Sequence, residues 1–359
     1  MIIFSPGPAN ISAGVRRSLL NPDICHRGEE FSALLGQTRK LLLDICGVDK
    51  AYQAAVFTGS GTAAIEAVLA SLKGSGKKIL VLSNGIYGQR AYKIVALHGL
   101  KVKQVMFDGF SLPDLKEFEK QIRRYSPRVI YCVHHETTTG LLNPLEKIAK
   151  LAAKHGCLLI VDAISSIAGE KILVKKWKID ALIGSANKCI RGISGLSFAI
   201  VSPRFVHCLK NSPKNPFYLN LLEHILMEKN GQTPFTPAVH GFYALRQALV
   251  ELKREGVVRR IGHYKNISSL LRRGLRKIGL RIYVAENISS NTMTTVMLPK
   301  NISYQQLYKQ CKKHGFCIYS AVGNLKDKAF RLGNVGCISP KDIRDFLRVL
   351  GRVVKGGAN

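Results

Sequence analysis

Short apolar runs alternate with amphipathic segments along the first part of the chain. The apolar runs are rich in β-branched residues, which is typical of buried strands, whereas the segments between them have the spacing of one apolar helix face. Strands that alternate with helices predict an α/β fold, with a mainly parallel sheet sandwiched by helices. The predicted strands are AAVFT (54–58), KILVLSN (78–84), KQVMF (103–107), RVIYCVH (128–134), CLLIVDA (157–163), DALIGSA (180–186) and LSFAIVS (196–202).

Helix limits are visible in several of the amphipathic segments. In the segment at 143–156 a proline lies near the start and a glycine lies just past the end, as expected for a helix. The helices predicted between the strands are TAAIEAVLASLK (62–73), DLKEFEKQIRRY (114–125) and NPLEKIAKLAAKHG (143–156).

The character of the chain changes after the last of these strands. A polar, proline-containing break, KNSPKNPF (210–217), is followed by a long helical pattern from Pro237 through Leu252. Because a chain of 359 residues usually forms more than one hydrophobic core, we predict a second, smaller C-terminal α+β domain. Its predicted elements are helices around 257–278, 303–314 and 340–354 and a strand at 292–299. The predicted limits are an N-terminal arm at 1–16 that packs with the small domain, a large domain at 17–250 and a small domain at 251–359.

The chain is strongly basic, since 54 Lys and Arg against 23 Asp and Glu give a formal net charge of +31. The cations are spread along the whole chain, without one dense tract or interleaved aromatic residues, so the pattern does not favour a dedicated nucleic-acid-binding role. Two interpretations of the charge stay open. It reflects a lineage with a basic proteome, or it attracts anionic substrates over a long range.

Cysteine and histidine spacing excludes the usual metal sites. The nine cysteines contain no C-x-x-C pair, and the ten histidines form no H-x-x-x-H or H-E-x-x-H group. The sequence therefore predicts no bound metal and indicates a reducing compartment. The N-terminal MIIFSPGPANIS lacks a basic region followed by a long apolar run, and no uncharged apolar stretch reaches membrane-spanning length. We expect a cytoplasmic protein without a membrane partner.

Candidate chemistry is concentrated directly after the predicted strands, where ligands bind in an open parallel α/β sheet. After the first strand, Gly59-Ser60-Gly61-Thr62 opens a helix and offers free backbone N–H groups and the positive end of the helix dipole to a phosphate. Such glycine turns also occur for close packing alone. After the second strand, Tyr87 stands in a glycine turn, GIYGQR, where its ring can stack on a flat cofactor or pack as an ordinary turn residue.

Hydroxyl groups follow the fourth predicted strand, in HHETTTGLLNP. Thr137, Thr138 and Thr139 can bond a phenolic oxygen or a substrate. Capping of the helix that starts at Asn143-Pro144 is the competing interpretation, and the pattern alone does not separate the two.

Asp162 and Lys188 follow the next two strands. A carboxylate at the end of a buried strand is costly unless it is paired, and the protonated pyridine nitrogen of pyridoxal 5′-phosphate (PLP) is a partner that would keep the ring electron-withdrawing. A lysine in this setting can be desolvated enough to form a Schiff base, with Asn187 and Arg191 nearby to support the ring and the phosphate. A lone lysine after a strand is usually a surface residue, but this one follows a phosphate cradle, a ring, hydroxyls and a carboxylate in order.

In this order the motifs resemble those of the class V aminotransferases, which use PLP. Within that family they are most similar to transaminases that move the amino group of 2-aminoethylphosphonate to pyruvate, giving phosphonoacetaldehyde and alanine. The resemblance implies the PLP-dependent transferase fold type I, a homodimer with shared active sites, and an amino donor and a 2-oxo acid as small-molecule partners. The matching segments, from about Pro6 to Gly336, are PGPANIS, GSGT, GIYGQR, HETTTGLLNP, VDAISS, SANKCIRG and FRLGNVG.

The resemblance also implies a role for each matching residue. Lys188 would bind PLP as a Schiff base and move a proton in catalysis, and Asp162 would face the pyridine nitrogen. Arg331 would bind the acid group of the substrate, because a guanidinium fork suits both carboxylate and phosphonate. The other contacts would be Tyr87 on the ring, Ser60, Gly61 and Thr62 on the phosphate, Thr137 near the ring hydroxyl, and Asn187 beside the lysine.

Three positions carry a second interpretation. Thr236 matches a position that reaches the phosphate of the neighbouring subunit, but it can also cap the helix begun by Pro237. The segment CHRGEEF (25–31) departs from the phosphonate transaminases and is nearer the alanine–glyoxylate type. There His26 and Arg27 can add positive charge to a substrate pocket, or Arg27 can form a salt bridge near the N-terminus.

Alternative functions share most of these residues. An alanine–glyoxylate or serine–pyruvate transaminase would use the same machinery. A PLP lyase of the cysteine desulfurase type would need Cys311 or Cys317 as nucleophile, although that class typically stacks a histidine on the ring where this chain has Tyr87. A basic, non-enzymatic binding protein is disfavoured by the intact lysine, aspartate and phosphate cradle.

Overall fold

The structure is a computed structural model that describes residues 1–212 and 216–356. Part of the predicted polar break at 210–217 therefore lies outside the described residues. The strands that the described residues form are β1 (Ile2–Ile3), β2 (Gln53–Thr58), β3 (Ile79–Ser83), β4 (Val102–Met106), β5 (Val129–Val133), β6 (His135–Glu136), β7 (Leu141–Leu142), β8 (Leu158–Asp162), β9 (Ala181–Ser185), β10 (Leu196–Val201), β11 (Met293–Met297), β12 (Phe316–Cys317), β13 (Tyr319–Ser320) and β14 (Ala329–Gly333).

Helices fill most of the chain between these strands. Across residues 1–212 and 216–356, none of them has both the length and the apolar surface that a membrane span requires. The α-helices are α1 (Ala13–Arg17), α2 (Glu29–Ile45), α3 (Gly61–Ala70), α4 (Ile86–Leu97), α5 (Leu115–Tyr125), α6 (Leu145–Lys154), α7 (Pro203–Lys210), α8 (Leu221–Lys229), α9 (Val239–Glu255), α10 (Val257–Lys277), α11 (Tyr304–Lys313) and α12 (Pro340–Gly356).

Seven strands form the central sheet, in the order β2-β10-β9-β8-β5-β3-β4. Six of them run in one direction, and β10 is antiparallel to both of its neighbours, β2 and β9. The mainly parallel sheet expected from the sequence is confirmed, and each of its predicted strands agrees with the structure to within one residue at either end. The carboxyl ends of the parallel strands therefore share one edge of the sheet.

Both faces of the central sheet are buried, because alternate strand residues face two different hydrophobic clusters. On β3, Ile79 and Val81 pack with α3, α4, α7 and α8, whereas Leu80 and Leu82 pack with α2, α5, α6 and α9. Helices on both faces leave the strand ends as the accessible part of the sheet. This arrangement directs ligand binding to the carboxyl edge.

The C-terminal part of the chain builds a second, smaller sheet, in the antiparallel order β11-β14-β13. The N-terminal arm reaches this region, since β1 pairs in parallel with β12 and the Phe4 ring centroid lies 4.4 Å from that of Phe346. The chain passes from α9 to α10 at Gly256, whose φ of +86° favours glycine. The domain limits given above stay a prediction.

Candidate active site

A cavity of about 200 Å³ opens at the carboxyl edge of the central sheet. It lies where β5, β8 and β9 end and where α3 and α4 begin, so free backbone groups, hydroxyls and charged side chains meet there. Of the cofactor contacts predicted above, all except Thr236 and Arg191 line it. The wall residues that matter below are Ser60, Gly61, Thr62, Tyr87, Arg90, His135, Thr137, Asp162, Asn187 and Lys188.

The start of α3 offers hydrogen-bond donors to this cavity. Ser60 is the N-cap residue, and its side chain makes no capping hydrogen bond. The first N–H groups of a helix have no partner within the helix, so they are available to a ligand. A Cβ atom on Gly61 would lie 2.5 Å from Cδ1 of Ile164, so α3 also packs closely here. The glycine turn thus combines close packing with a helix terminus suited to an anion.

Tyr87 and Arg90 lie three residues apart on α4 and face the same side. The Arg90 guanidinium lies over the Tyr87 ring, 4.8 Å from its centroid, and Nη1 donates to Oγ1 of Thr62 at 3.2 Å. One cation therefore contacts both the ring and the start of α3. Its charge adds to the helix dipole and makes this side of the cavity suited to a phosphate.

Asp162 ends β8 and is buried, with 4% of its surface exposed. Its Oδ1 accepts from the Ile164 N–H at 3.0 Å and its Oδ2 accepts from the Tyr131 hydroxyl at 3.3 Å. Within the described residues it forms no ion pair, and burial raises its pKa to about 6. The carboxylate is therefore a buried acceptor that a cationic N–H group would stabilise.

Lys188 follows β9 and points into the same cavity. Burial lowers its pKa to about 8, and the nearby Arg331 and Arg90 also favour the uncharged amine. Its Nζ donates to the Pro6 carbonyl at 2.6 Å, so the N-terminal arm forms part of the site. The lowered pKa makes the neutral, nucleophilic amine more available near neutral pH.

The threonine segment after β6 connects the cavity to α4. The Thr138 hydroxyl accepts from the Ile86 N–H at 3.0 Å and donates to Oε1 of Glu136 at 2.5 Å. The threonines do not cap the helix at Asn143-Pro144, because α6 has no side-chain capping bond. Instead, Thr138 caps α4, the helix that carries Tyr87. Thr137 lines the cavity itself.

Arg331 lies on β14 in the small sheet and is buried beside this segment, with 6% of its surface exposed. Its Nη1 donates to the Thr137 carbonyl and its Nε donates to the Ser320 carbonyl, each at 2.9 Å. Within the described residues it forms no ion pair. Burial lowers its pKa, because the charged form is less well solvated than in water. Like the Asp162 carboxylate, this guanidinium is a buried group without an ion pair in the described chain.

Comparison with known proteins identifies the family. Residues 12–324 match the model of the class-V aminotransferases. The chain belongs to this family. The resemblance read from the motifs is thereby confirmed, and this class-V aminotransferase uses PLP as its cofactor.

Named relatives of this aminotransferase include enzymes of phosphonate chemistry. The 2-aminoethylphosphonate–pyruvate transaminase of Bacillus cytotoxicus is 32% identical over 352 residues, which cover 96% of each chain. A bifunctional phosphonoacetaldehyde hydrolase/aminoethylphosphonate transaminase of Clostridioides difficile is 33% identical over 361 residues. That match covers 98% of this chain and 56% of the bifunctional protein, so the chain spans little more than half of that relative.

Solved structures of other aminotransferases have the same fold. The ureidoglycine–glyoxylate aminotransferase of Bacillus subtilis superposes with a TM-score of 0.93 at 26% identity, covering 99% of this chain and 93% of that one. The alanine–glyoxylate aminotransferase of Nostoc sp. superposes with a TM-score of 0.91 at 25% identity, covering 98% of this chain and 95% of that one. The predicted fold type I is confirmed.

The residues of the cavity fit PLP chemically. The phosphate matches the free start of α3, the pyridine nitrogen matches the unpaired carboxylate of Asp162, and the aldehyde matches the amine of Lys188. A further acceptor is available at Nε2 of His135, which is buried at the cavity wall and has no hydrogen-bond partner in the described part of the chain. Buried polar atoms without partners usually receive them from a ligand or water.

We expect capture of PLP by the cofactor-free class-V aminotransferase to accelerate as pH rises. An amine reacts with PLP in its neutral form, and since the pKa of Lys188 is about 8, its neutral fraction grows about tenfold per pH unit below 8 and levels off above it. Stopped-flow absorbance of added PLP measures this rate. Free Nα-acetyl-lysine is the control, because its rate should keep rising toward its ordinary pKa of about 10.4. A protein rate that keeps rising past pH 9 would contradict the lowered pKa.

Gly7 of the N-terminal arm approaches Lys188 closely. Its φ is +142°, and a Cβ atom there would lie 2.4 Å from Nζ of Lys188. We expect Gly7→Ala to slow transamination roughly ten- to hundredfold, because it displaces the amine from its working position. Steady-state turnover of the PLP-loaded enzyme measures the effect. Gly99→Ala is the control, since Gly99 also has a positive φ but, among the described residues, no atom within 4 Å of the added Cβ. Equal turnover of the two variants would contradict the role given to the arm.

Besides Arg331, which lies beside the cavity without lining it, four residues given a cofactor or substrate role from the sequence do not line the cavity of their own chain. Thr236 is exposed and precedes α9, whose N-cap is Ala238 without a side-chain bond, so it does not cap that helix. His26 and Arg27 also lie away from the cavity, and Arg27 Nη1 donates to the Thr233 carbonyl at 2.8 Å. Arg191, expected to support the phosphate, instead donates through Nε to the Tyr264 hydroxyl at 3.0 Å. The substrate roles of His26 and Arg27 stay a prediction.

Sequence reasoning gave no role to Arg90 and His135, which line the cavity, or to Gly7, which lies against Lys188. Arg90 belongs to GIYGQR, and its helical spacing from Tyr87 is a signal that the two side chains share a face. His135 precedes the threonines by two residues, and alternation along an extended segment places it on the same side as Thr137. Gly7 carried no such signal, because its contact with Lys188 joins segments far apart in the chain.

Proposed function

We propose that this aminotransferase moves the amino group of 2-aminoethylphosphonate to pyruvate, giving phosphonoacetaldehyde and alanine. The observation that carries the proposal is Arg331, a buried guanidinium beside the cavity that forms no ion pair within the described residues. Because buried charges are normally paired, an anionic group of the substrate is the expected partner. Relatives that match nearly the whole chain are named for 2-aminoethylphosphonate and pyruvate, which supports a phosphonate as the first of these anions.

Each residue of the cavity has a separate role in the proposed reaction. Bound PLP supplies an electron sink for the carbon that loses its proton. Lys188 Nζ takes the proton from the amine-bearing carbon of the donor and returns one to the acceptor carbon in the second half of the reaction. Asp162 holds the proton on the ring nitrogen, so that the ring keeps its positive charge. Tyr87, whose ring lies against the Arg90 guanidinium, would cover one face of the cofactor ring and keep water from it.

Arg331 orients both substrates in turn. Its side chain is already held by the Thr137 and Ser320 carbonyls, so little conformational entropy is lost when an anion binds. The guanidinium receives the phosphonate of the donor first. After phosphonoacetaldehyde leaves, the same group receives the carboxylate of pyruvate. Charge recognition by one arginine explains how a single cavity accepts two different acids.

The active site is proposed to be shared within a homodimer. Thr236 lies in an exposed loop outside the cavity of its own chain, which supports a role toward the cofactor phosphate of a second subunit. Ser60, Gly61 and Thr62 would supply the contacts from the subunit that binds the cofactor covalently.

One of the alternative functions, the cysteine desulfurase, receives little support from the site. For a cysteine desulfurase, Cys311 is buried on α11 with a pKa raised to about 12, and Cys317 lies on β12 in the small domain. Neither residue lines the cavity. A transaminase that uses alanine, serine or glyoxylate stays the main alternative, because solved aminotransferases that act on glyoxylate share the fold closely.

An amino-donor panel tests the proposal. The PLP-loaded enzyme is mixed with 2-aminoethylphosphonate, alanine or serine, and conversion of the cofactor to its amine form is followed by absorbance. We expect the phosphonate to react with a kcat/KM about 100-fold above that of either amino acid, since its dianion matches the unpaired Arg331 best. Faster conversion by alanine or serine would sink the phosphonate assignment and favour the alternative.

The variant Arg331→Gln separates recognition of the acid group from the chemistry. It should lower kcat/KM for 2-aminoethylphosphonate by about 100-fold, because a charge-assisted contact is lost. Propylamine is the matched control donor, since it lacks an acid group and should react equally slowly with both enzymes. If Arg331→Gln slows both donors alike, Arg331 does not act through the acid group.

A further inference from the structure

We propose that the chain carries a second anion-binding pocket, which takes a small ligand with a phosphate or pyrophosphate group. The pocket has a volume of about 250 Å³ and lies at the amino-terminal edge of the central sheet. Four of its wall residues are basic, Lys77, Arg128, Arg204 and His207, and no acidic side chain of the described residues lines it. This inference goes beyond the transaminase reaction and does not depend on it.

The basic groups converge from separate parts of the fold. Lys77 precedes β3, Arg128 precedes β5, and Arg204 and His207 lie on α7. Strand starts that are neighbours in the sheet bring the first two together, while α7 closes the pocket from the side. A concave arrangement of this kind concentrates positive potential more strongly than the same charges on a flat surface.

Part of the pocket is fixed in place before any ligand binds. Arg204 Nη2 donates to the Gly156 carbonyl at 2.7 Å, and its Nη1 lies 3.5 Å from Oδ2 of Asp180. Asn211 Nδ2 donates to the His207 carbonyl at 3.1 Å and so holds the end of α7. Among the four basic wall residues, Arg204 is therefore the one held in place by contacts within the protein.

The other three basic side chains are not neutralised in this way. Within the described residues, Lys77, Arg128 and His207 form no ion pair with an acidic side chain. Placing like charges around one concavity is unfavourable, and an anion in the middle would relieve the repulsion. Guanidinium and ammonium groups together suit a phosphate, which offers several strong acceptor oxygens.

The pocket is distinct from the active site. Strand β8 runs between them, with Leu158 at the basic pocket and Asp162 at the cofactor cavity. Four residues of extended strand separate these positions by about 13 Å. Two anions can therefore bind at opposite edges of the sheet at the same time. Anion binding here would also give a function to a few of the basic residues behind the net charge of +31.

Calorimetric titration of the PLP-loaded enzyme with pyrophosphate tests the proposal. PLP occupies the α3 phosphate site during the titration, and an Arg331→Gln background removes the substrate-anion site. We expect saturable binding that Arg128→Gln and Lys77→Gln each weaken about tenfold or more, since each removes a charge-assisted contact. Arg281→Gln and Lys309→Gln are the matched controls, because both side chains are exposed and lie outside the pocket. These controls should weaken binding less than about twofold.

A local signal assigns the binding to this pocket. The C2 proton resonance of His207, identified by its loss in His207→Gln, should shift as pyrophosphate is added and should not shift in Arg128→Gln. Absence of saturable binding would overturn the proposal. Equal weakening by pocket and control variants would also overturn it, because the charge would then act only as a diffuse field. Transamination by Arg128→Gln should be unchanged, so failure here and failure of the proposed reaction are measured separately.

Discussion

Replacing Lys188 with alanine is expected to lower the transamination rate by at least about a thousandfold, the largest effect of any single substitution in this chain. The variant loses the amine that bonds the cofactor and also the base that moves the proton. No other lysine lines the cavity in the described part of the chain, so no neighbouring amine can replace it. Single-turnover absorbance with 2-aminoethylphosphonate measures the rate.

The control for this variant is Lys116→Ala, which removes an exposed lysine from α5 and should leave turnover unchanged. A second readout separates bonding from proton transfer. Borohydride reduction should fix PLP irreversibly to the parent chain and to Lys116→Ala, but not to Lys188→Ala, as mass spectrometry of the intact protein would reveal. Normal turnover of Lys188→Ala would refute the assignment of the active site.

The second large effect is expected from Asp162→Asn, which should slow transamination roughly 10²- to 10³-fold. The amide has nearly the same shape but cannot balance the positive charge of the ring nitrogen, so the cofactor withdraws electrons less strongly. Burial raises the pKa of Asp162 to about 6 in the cofactor-free protein. The carboxylate is therefore mostly ionised at pH 7, and cofactor binding should weaken as pH falls through about 6, where the charge is lost.

Asp180→Asn is the matched control for this substitution. Asp180 is also a buried carboxylate, and it accepts from the Leu159 N–H at 2.9 Å and from the Ser202 hydroxyl at 2.9 Å, away from the cavity. Its loss should lower the melting temperature and leave the rate constant of the folded enzyme intact. If both variants lose turnover equally, the effect of Asp162 is one of folding and the pairing with the ring nitrogen is not supported.

Much of the central sheet could be predicted from the sequence because its strands are buried on both faces. Continuous apolar runs such as 129–133 and 158–161 are unlike the helices between them, so the limits of the strands were clear to within one residue. The reversed direction of β10 was not visible in the pattern. A buried strand has the same apolar composition in either direction. The direction of β10 is therefore visible only in its pairing with β2 and β9.

The residues after each strand could likewise be assigned to one cavity, since carboxyl ends of parallel strands share an edge. The contact between the N-terminal arm and Lys188 could not be predicted in this way. Pro6 and Gly7 contact Lys188 across a separation of about 180 residues, and no local pattern marks that contact. The same reason explains Arg191, which follows the lysine closely in sequence but turns toward Tyr264 on α10.

The sequence by itself determined which chemical groups are present and in what order they meet the strand ends, because strand periodicity and helix starts are local properties of the chain. Only the tertiary structure decided how those groups behave. Burial sets the pKa of Lys188 at about 8 and that of Asp162 at about 6, and packing of β14 leaves Arg331 without an ion-pair partner in the described chain. These properties depend on contacts with segments that are far apart in the sequence. A local sequence pattern does not show which distant segments come into contact.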